Sequence, residues 1–184
     1  MGKSAAEAFL RQQGLPVVDT DVLARQLVEP GQPALDEIRA AFGDAVLAPD
    51  GRLRRDELAR IVFNDEAARV RLESILHPRI RALWQQQVRT WCDERKATAV
   101  VVIPLLFETG AEKELDETLC IACSAATQRE RLLARGWSET QIQQRIAAQL
   151  PIEKKIEKAD YVIWSEGSLD VLAAQLNMLL GPSD

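Results

Sequence analysis

Short β-branched runs alternate along this chain with longer stretches in which apolar residues recur every three or four positions. Residues 15–19 (LPVVD), 98–103 (TAVVVI), 118–123 (TLCIAC) and 160–164 (DYVIW) read as strands. The run at 98–103 is almost continuously apolar, as expected of a strand covered on both faces. Helical spacing predicts helices over 4–13, 22–28, 34–42, 55–63, 66–76, 126–135, 139–150 and 169–180. Gly14 marks a helix stop, Glu29-Pro30-Gly31 a break and Asp50-Gly51 a turn. Asn64 or Asp65 is placed to cap the helix that follows, and Pro78 to open a fresh one with Ile80, Leu83 and Trp84 on one face.

Strands separated by helices define βα units about a parallel sheet, so the fold class is α/β. Residues 33–94 read as mostly helical and form an insertion between the first strand and the second. The chain opens on a helix with no strand before it.

Composition narrows the picture. The 184 residues are 47% hydrophobic and 28% charged, which fits one globular domain with a real core. A net charge of -5 argues against a nucleic-acid-coating surface but leaves a phosphorylated small substrate open. The longest apolar stretch, 99–107, is shorter than the roughly 20 residues a bilayer span needs, and no signal peptide is visible. A cytoplasmic protein with no membrane or nucleic-acid partner is expected. Cys120 and Cys123 lie three apart in a strand, on opposite faces, so one zinc ion would not receive both. With Cys92 they read as small, reduced core residues.

Three features carry candidate chemistry. Gly2-Lys3-Ser4 matches the end of the phosphate loop G-x-x-x-x-G-K-S/T and opens a helix that leads into a strand. In that motif backbone N–H groups face the phosphates, the lysine reaches the β and γ phosphates and the hydroxyl holds magnesium. Asp19-Thr20-Asp21 stands at the carboxyl end of a strand, where open α/β sheets bind ligands. Its carboxylates suit magnesium or proton removal from a hydroxyl, while Thr20 or Asp21 equally suits a helix cap. Arg131 and Arg135 share one helix face, and Arg145 and Gln149 the next. The turn Gly136-Trp137-Ser138 joins these helices into a hairpin able to close over a nucleotide, or into a solvated face with pairs such as Glu130 with Arg135 and Glu139 with Arg145. His77, the one histidine, has no partner for a triad or zinc site and reads as a cap before Pro78. Pro104-Leu105-Leu106-Phe107-Glu108 reads as a strand exit.

Taken together, these residues resemble the dephospho-coenzyme A kinase family. The matching segments are GKS at 2–4, VVDTDVLAR at 17–25, VEPG at 28–31, LHPRI at 76–80, VVIPLLFE at 101–108, TQRERLLAR at 127–135, RIAAQLP at 145–151 and KADYVI at 158–163. They keep the family's order and cover nearly the whole chain. The chain departs from the family at Trp164-Ser165-Glu166-Gly167, which replaces an acidic-Asn stretch. It also departs at its start, where the family has a strand and a glycine-rich loop before GKS.

The resemblance implies a three-layer P-loop fold with a parallel sheet. It implies a kinase core in 1–30, 95–134 and 155–184, a helical substrate-binding insertion in 31–94 and a lid in 135–154. It implies transfer of the ATP γ-phosphate, with Mg2+, to the ribose 3′-hydroxyl of dephospho-coenzyme A. Asp21 would be the catalytic base and Lys3 would steady the phosphates. Gly2, Lys3, Ser4, Arg135 and Arg145 would bind ATP, and Ser4 would hold the metal. Asp19, Arg25, His77 and Arg79 would bind the acceptor. The first strand is expected upstream of Met1, because a sheet without it would leave two edges unpaired. Two other readings stay open on the residues alone: another P-loop small-molecule kinase, and a coenzyme A-ligand-binding protein without turnover.

Overall fold

The computed structural model describes residues 2–181. The chain is mixed α/β and divides into two compact units, Pro16–Pro104 and a second made of residues 2–15 with 105–181.

In the unit Pro16–Pro104, strand β1 (Val17–Asp19) pairs in parallel with β2 (Val100–Val102), Val17 facing Val100 and Asp19 facing Val102. A parallel pair needs a long crossover. Here it is helical: α2 (Thr20–Gln26), α3 (Pro33–Phe42), α4 (Arg55–Asn64) and α5 (Glu66–Asp93). Both ladders are shorter than the apolar runs that signalled them, and β2 is half-buried rather than fully covered. The helices enclose their own core. Ile38 and Val46 are fully buried, with Val28, Leu35 and Leu58 beside them. Leu35, Ile38 and Phe42 follow helical spacing, which is why α3 turns one face inward. Leu47 and Leu53 form an isolated antiparallel bridge, and Gly51 turns the chain between them with φ of 80°.

The expectation of a helix start at Pro78 fails in this unit. Residues 66–93 form a single helix, and Pro78 lies inside it rather than starting a new one. Asp65 caps the helix by accepting the N–H groups of Ala67 and Ala68. Proline removes the bond its N–H would give to the Ser74 carbonyl, a cost of about 3 kcal/mol in a helix interior. The next carbonyl along, that of Ile75, accepts a bond from Arg79 Nη1 at 2.6 Å. Ala68 before the proline and Trp84 after it are both buried, so packing holds both halves of the helix. His77 is consequently a mid-helix residue and not a cap.

In the second unit, β3 (Leu119–Ala122) pairs in parallel with β4 (Tyr161–Trp164) over four residues. A clamp precedes the ladder: Asp160 Oδ2 accepts from the Thr118 N–H at 2.8 Å and from its hydroxyl at 2.7 Å. These bonds hold the Asp160 carboxyl below the usual carboxylate range. Around the pair stand α1 (Lys3–Gln12), α6 (Ala125–Ala134), α7 (Glu139–Ala147), α8 (Ile152–Lys158) and α9 (Leu169–Leu180). Helices α1 and α9 pack together, and each buries a pair four residues apart: Ala6 with Leu10, and Leu172 with Leu176. Helix α8 was not expected, because its seven residues are mostly charged and the helical spacing before it ends near Leu150. Cys120 and Cys123 are buried free thiols as expected, whereas Cys92 is exposed on α5 and belongs to no core. Among the described residues no helix is long and apolar enough to cross a membrane.

Ile38 has no exposed surface. Ile38→Ala should therefore cost about 2–5 kcal/mol and lower the melting midpoint by roughly 10 °C, followed by thermal circular dichroism. An unchanged midpoint would remove Ile38 from the centre of the helical core.

Candidate active site

The Gly2-Lys3-Ser4 segment sits at the start of α1. Gly2 is the residue before the helix, with φ of 56°, a left-handed conformation that glycine adopts without strain. A Cβ there would stand 2.4 Å from Ser165 Oγ and 3.2 Å from Ile121 Cγ2. The helix start is thus pressed against the carboxyl ends of β3 and β4. Gly2 supplies no side-chain cap, and the first turn of α1 holds no acidic residue. A helix start so arranged directs N–H groups and a positive dipole end toward an anion. Lys3 is half-buried and Ser4 exposed on that first turn.

The strand-end loop facing Gly2 is tied down by charge. Arg131 on α6 donates to Ser165 Oγ at 2.8 Å. Glu166 accepts the Ser124 N–H, while the Ser124 hydroxyl caps α6 by accepting from Thr127. The Ser124 and Thr127 bonds and the positive charge of Arg131 hold the Glu166 carboxyl below its ordinary range. These contacts run through Trp164-Ser165-Glu166-Gly167, the stretch that departs from the family pattern.

In the other unit the Asp19-Thr20-Asp21 cluster lies where β1 becomes α2. Asp19 is the cap, its Oδ1 accepting the Asp21 N–H at 2.8 Å. The expectation that Thr20 or Asp21 would cap is corrected by this geometry. Thr20 is buried, and its hydroxyl donates to the Val102 carbonyl at 3.0 Å, fastening the end of β1 to β2. Asp21 is exposed in the first turn of α2. Arg25 is exposed in the last turn of the same helix. Helix α2 packs on α5, which carries His77 and Arg79. Arg79 Nη2 bonds Glu37 at 2.5 Å, so its fork ties α5 to α3.

Among the arginines of the expected lid, Arg135 is exposed at the end of α6 and Arg145 is exposed on α7. The Arg145 guanidinium lies over the Trp137 ring, 4.2 Å from its centroid. Glu139 pairs with Arg129 across the turn between α6 and α7. After α7 comes a contact that sequence reasoning missed. Lys155 is buried and its Nζ lies 2.8 Å from Glu108 Oε1 and 3.1 Å from Gln149 Oε1. Glu108 Oε1 also accepts the Leu150 N–H at 2.8 Å. Burial acts to raise the Glu108 carboxyl, but the bonds from Lys155 and Leu150 prevail and hold it below its usual range. The PLLFE segment offered a signal, an acid in an apolar turn, but its lysine is 47 positions away.

An open concavity of about 580 Å³ is lined by Arg39, Asp44, Leu47 and Arg54. No expected site residue lines it, and its arginine and aspartate neutralise each other at 2.5 Å. It is not the candidate site. Among the described residues no group of three or more histidines, cysteines or acids is placed to hold a metal ion.

A glycine-lysine-serine helix start against the ends of parallel strands, with arginine-bearing helices beyond them, defines the P-loop kinase class. The comparisons carry the assignment further. The dephospho-CoA kinase family model matches residues 1–170. The dephospho-CoA kinase of Anaeromyxobacter dehalogenans is 43% identical over 180 residues, covering 97% of this chain and 85% of the relative. That of Shouchella clausii is 44% identical over 169 residues, 91% of this chain and 85% of the relative. Among solved structures, a Thermus thermophilus protein superposes with a TM-score of 0.81 at 36% identity, over 97% of this chain and 90% of that one. The dephospho-CoA kinase of Campylobacter jejuni gives 0.70 at 28%, over 97% and 91%. The chain belongs to the dephospho-CoA kinase family, kinases of the last step of coenzyme A biosynthesis.

The Glu108 pair generates a pH signature. A carboxyl depressed in the folded state adds stability above its unfolded pKa, about 4.3, and that stability is lost as pH falls through the folded value. Glu108→Gln should cost about 1–3 kcal/mol at neutral pH, because Lys155 keeps its burial and loses its counter-charge. The difference from wild type should shrink as pH falls below about 4.3 and through the lowered folded value of Glu108. Urea midpoints across that range measure it, and a pH-independent difference would show that packing, not charge, holds the contact.

Proposed function

We propose that this chain transfers the γ-phosphoryl group of magnesium-bound ATP to the ribose 3′-hydroxyl of dephospho-coenzyme A, in the cytoplasm. The observation that carries this reading is the Gly2–Ser165 approach at an uncapped helix start, in a chain 43% identical to a dephospho-CoA kinase over nearly its whole length. The N–H groups at the start of α1 take the nucleotide phosphates, and a side chain at residue 2 would close that space. Lys3 compensates charge on the β and γ phosphates. Ser4 offers a hydroxyl oxygen to the magnesium ion, which arrives with ATP. Magnesium keeps several waters and binds through one or two protein oxygens plus phosphates, so no dedicated cage of acids is required.

Asp21 accepts the proton of the 3′-hydroxyl as that oxygen attacks the γ phosphorus and the bond to ADP breaks. Asp21 is an exposed carboxylate in the first turn of α2, and Asp19 is the residue that caps that helix. Asp19 positions Asp21 through the backbone. Arg25, His77 and Arg79 belong to the acceptor side, with residues 31–94 as the acceptor-binding insertion; Arg79 contributes chiefly by holding α5 against α3. Arg135 and Arg145 compensate charge on the nucleotide from the lid, residues 135–154. Phosphoryl transfer draws its acceleration from positioning and charge compensation, which such a set supplies.

The test is Asp21→Asn assayed for ATP-dependent phosphorylation of dephospho-coenzyme A. We expect an unchanged melting midpoint and a 100- to 10,000-fold fall in kcat, the usual contribution of a general base. Near-normal turnover would remove Asp21 from catalysis. Turnover with a different acceptor only, or ligand binding without turnover, would replace the proposed function itself.

A further inference from the structure

The Gly136-Trp137-Ser138 turn joins the two helices that carry Arg135 and Arg145, and its tryptophan has no role in the reaction described above. Trp137 is half-buried, and the exposed Arg145 lies over its ring at 4.2 Å from the centroid. The backbone that carries the indole is fixed. The main-chain N–H of Trp137 bonds the Leu132 carbonyl at 3.2 Å, and Gly136, with φ of 82°, bends the chain back with a main-chain N–H bond to Leu133.

The helix bearing Arg145 is fixed as well, at both ends. Ser138 and Gln141 form a reciprocal capping box at its start. Arg129 of α6 bonds Glu139 in the first turn, Nε to Oε2 at 2.9 Å. Beyond its end, Gln149 is held by buried Lys155, and the Leu150 N–H by Glu108. A long exposed arginine on a rigid helix still has several rotatable bonds, and ordering them costs free energy when a ligand arrives. A cation held over an indole face has met that cost beforehand, and the contact engages the guanidinium plane rather than its N–H donors.

We propose that Trp137 is a positioning residue for Arg145, which it holds pre-oriented for the phosphates of the nucleotide. The inference rests on the reading that Arg145 meets ATP. Arg145 would then be the binding group and Trp137 would act only through it.

Isothermal titration of the full chain and its variants with ATP, and separately with dephospho-coenzyme A, tests this without requiring turnover. Trp137→Leu should weaken ATP binding about 3- to 10-fold, the range of a partly exposed cation–π contact, and leave acceptor binding unchanged. Trp137→Phe, which keeps an aromatic face, should recover part of the loss. In an Arg145→Ala background, Trp137→Leu should add nothing further. The inference is overturned if Trp137→Leu binds ATP normally, if both ligands weaken alike, if phenylalanine rescues no better than leucine, or if the two substitutions add. Unchanged ATP affinity in Arg145→Ala alone would instead overturn the nucleotide role of Arg145, and this inference with it.

Discussion

The backbone of Gly2 approaches Ser165 so closely that no Cβ fits between them. Much of the surrounding unit is organised by that contact. It presses the start of α1 against the ends of β3 and β4, where the helix dipole faces the ligand side of the sheet. Ser165 is held in turn by Arg131, and the adjoining Glu166 holds the start of α6 at Ser124. A single missing side chain thereby connects the start of α1 to the start of α6. The positive φ at Gly2 adds a second requirement for glycine at the same atom.

The charges of the two units are used differently. In the unit with β3 and β4, Glu108 and the buried Lys155 form an ion pair whose further bonds reach Gln149 and Leu150 just beyond α7. Such a pair adds little net stability against well-packed apolar residues, but breaking it leaves one charge buried alone. Its value lies in fixing the chain just beyond the end of α7. In the unit with β1 and β2, Asp19 caps α2, Thr20 fastens β1 to β2, and Arg79 joins α5 to α3. Those contacts build the platform from which Asp21 projects.

The fold class was legible in the sequence because parallel strands and amphipathic helices have distinct periods. Runs such as TLCIAC and the 169–180 helix needed no tertiary information. Pro78 misled, because local rules assign proline to a helix start, whereas the helix runs through it with Ala68 and Trp84 buried on either side. Helix α8 escaped because seven mostly charged residues carry no clear apolar stripe. At the candidate site, motif and pattern located Gly2-Lys3-Ser4 at a helix start and Asp19-Thr20-Asp21 at a strand end, and the structure has them there. The partners Ser165 and Lys155 were not legible, since each meets its contact across more than 40 positions. The stack of Arg145 on Trp137 spans only eight positions, yet two helices and a turn must form before the spacing has meaning.

The central claim is that this chain is a kinase acting on one hydroxyl of one acceptor. Incubation with ATP labelled in the γ-phosphoryl group, magnesium and dephospho-coenzyme A, followed by chromatography and localisation of the label, tests it most directly. The account predicts label in coenzyme A at the ribose 3′ position, with equimolar ADP. Folded protein that binds both ligands and transfers no label, or that labels another position or another acceptor, would contradict it.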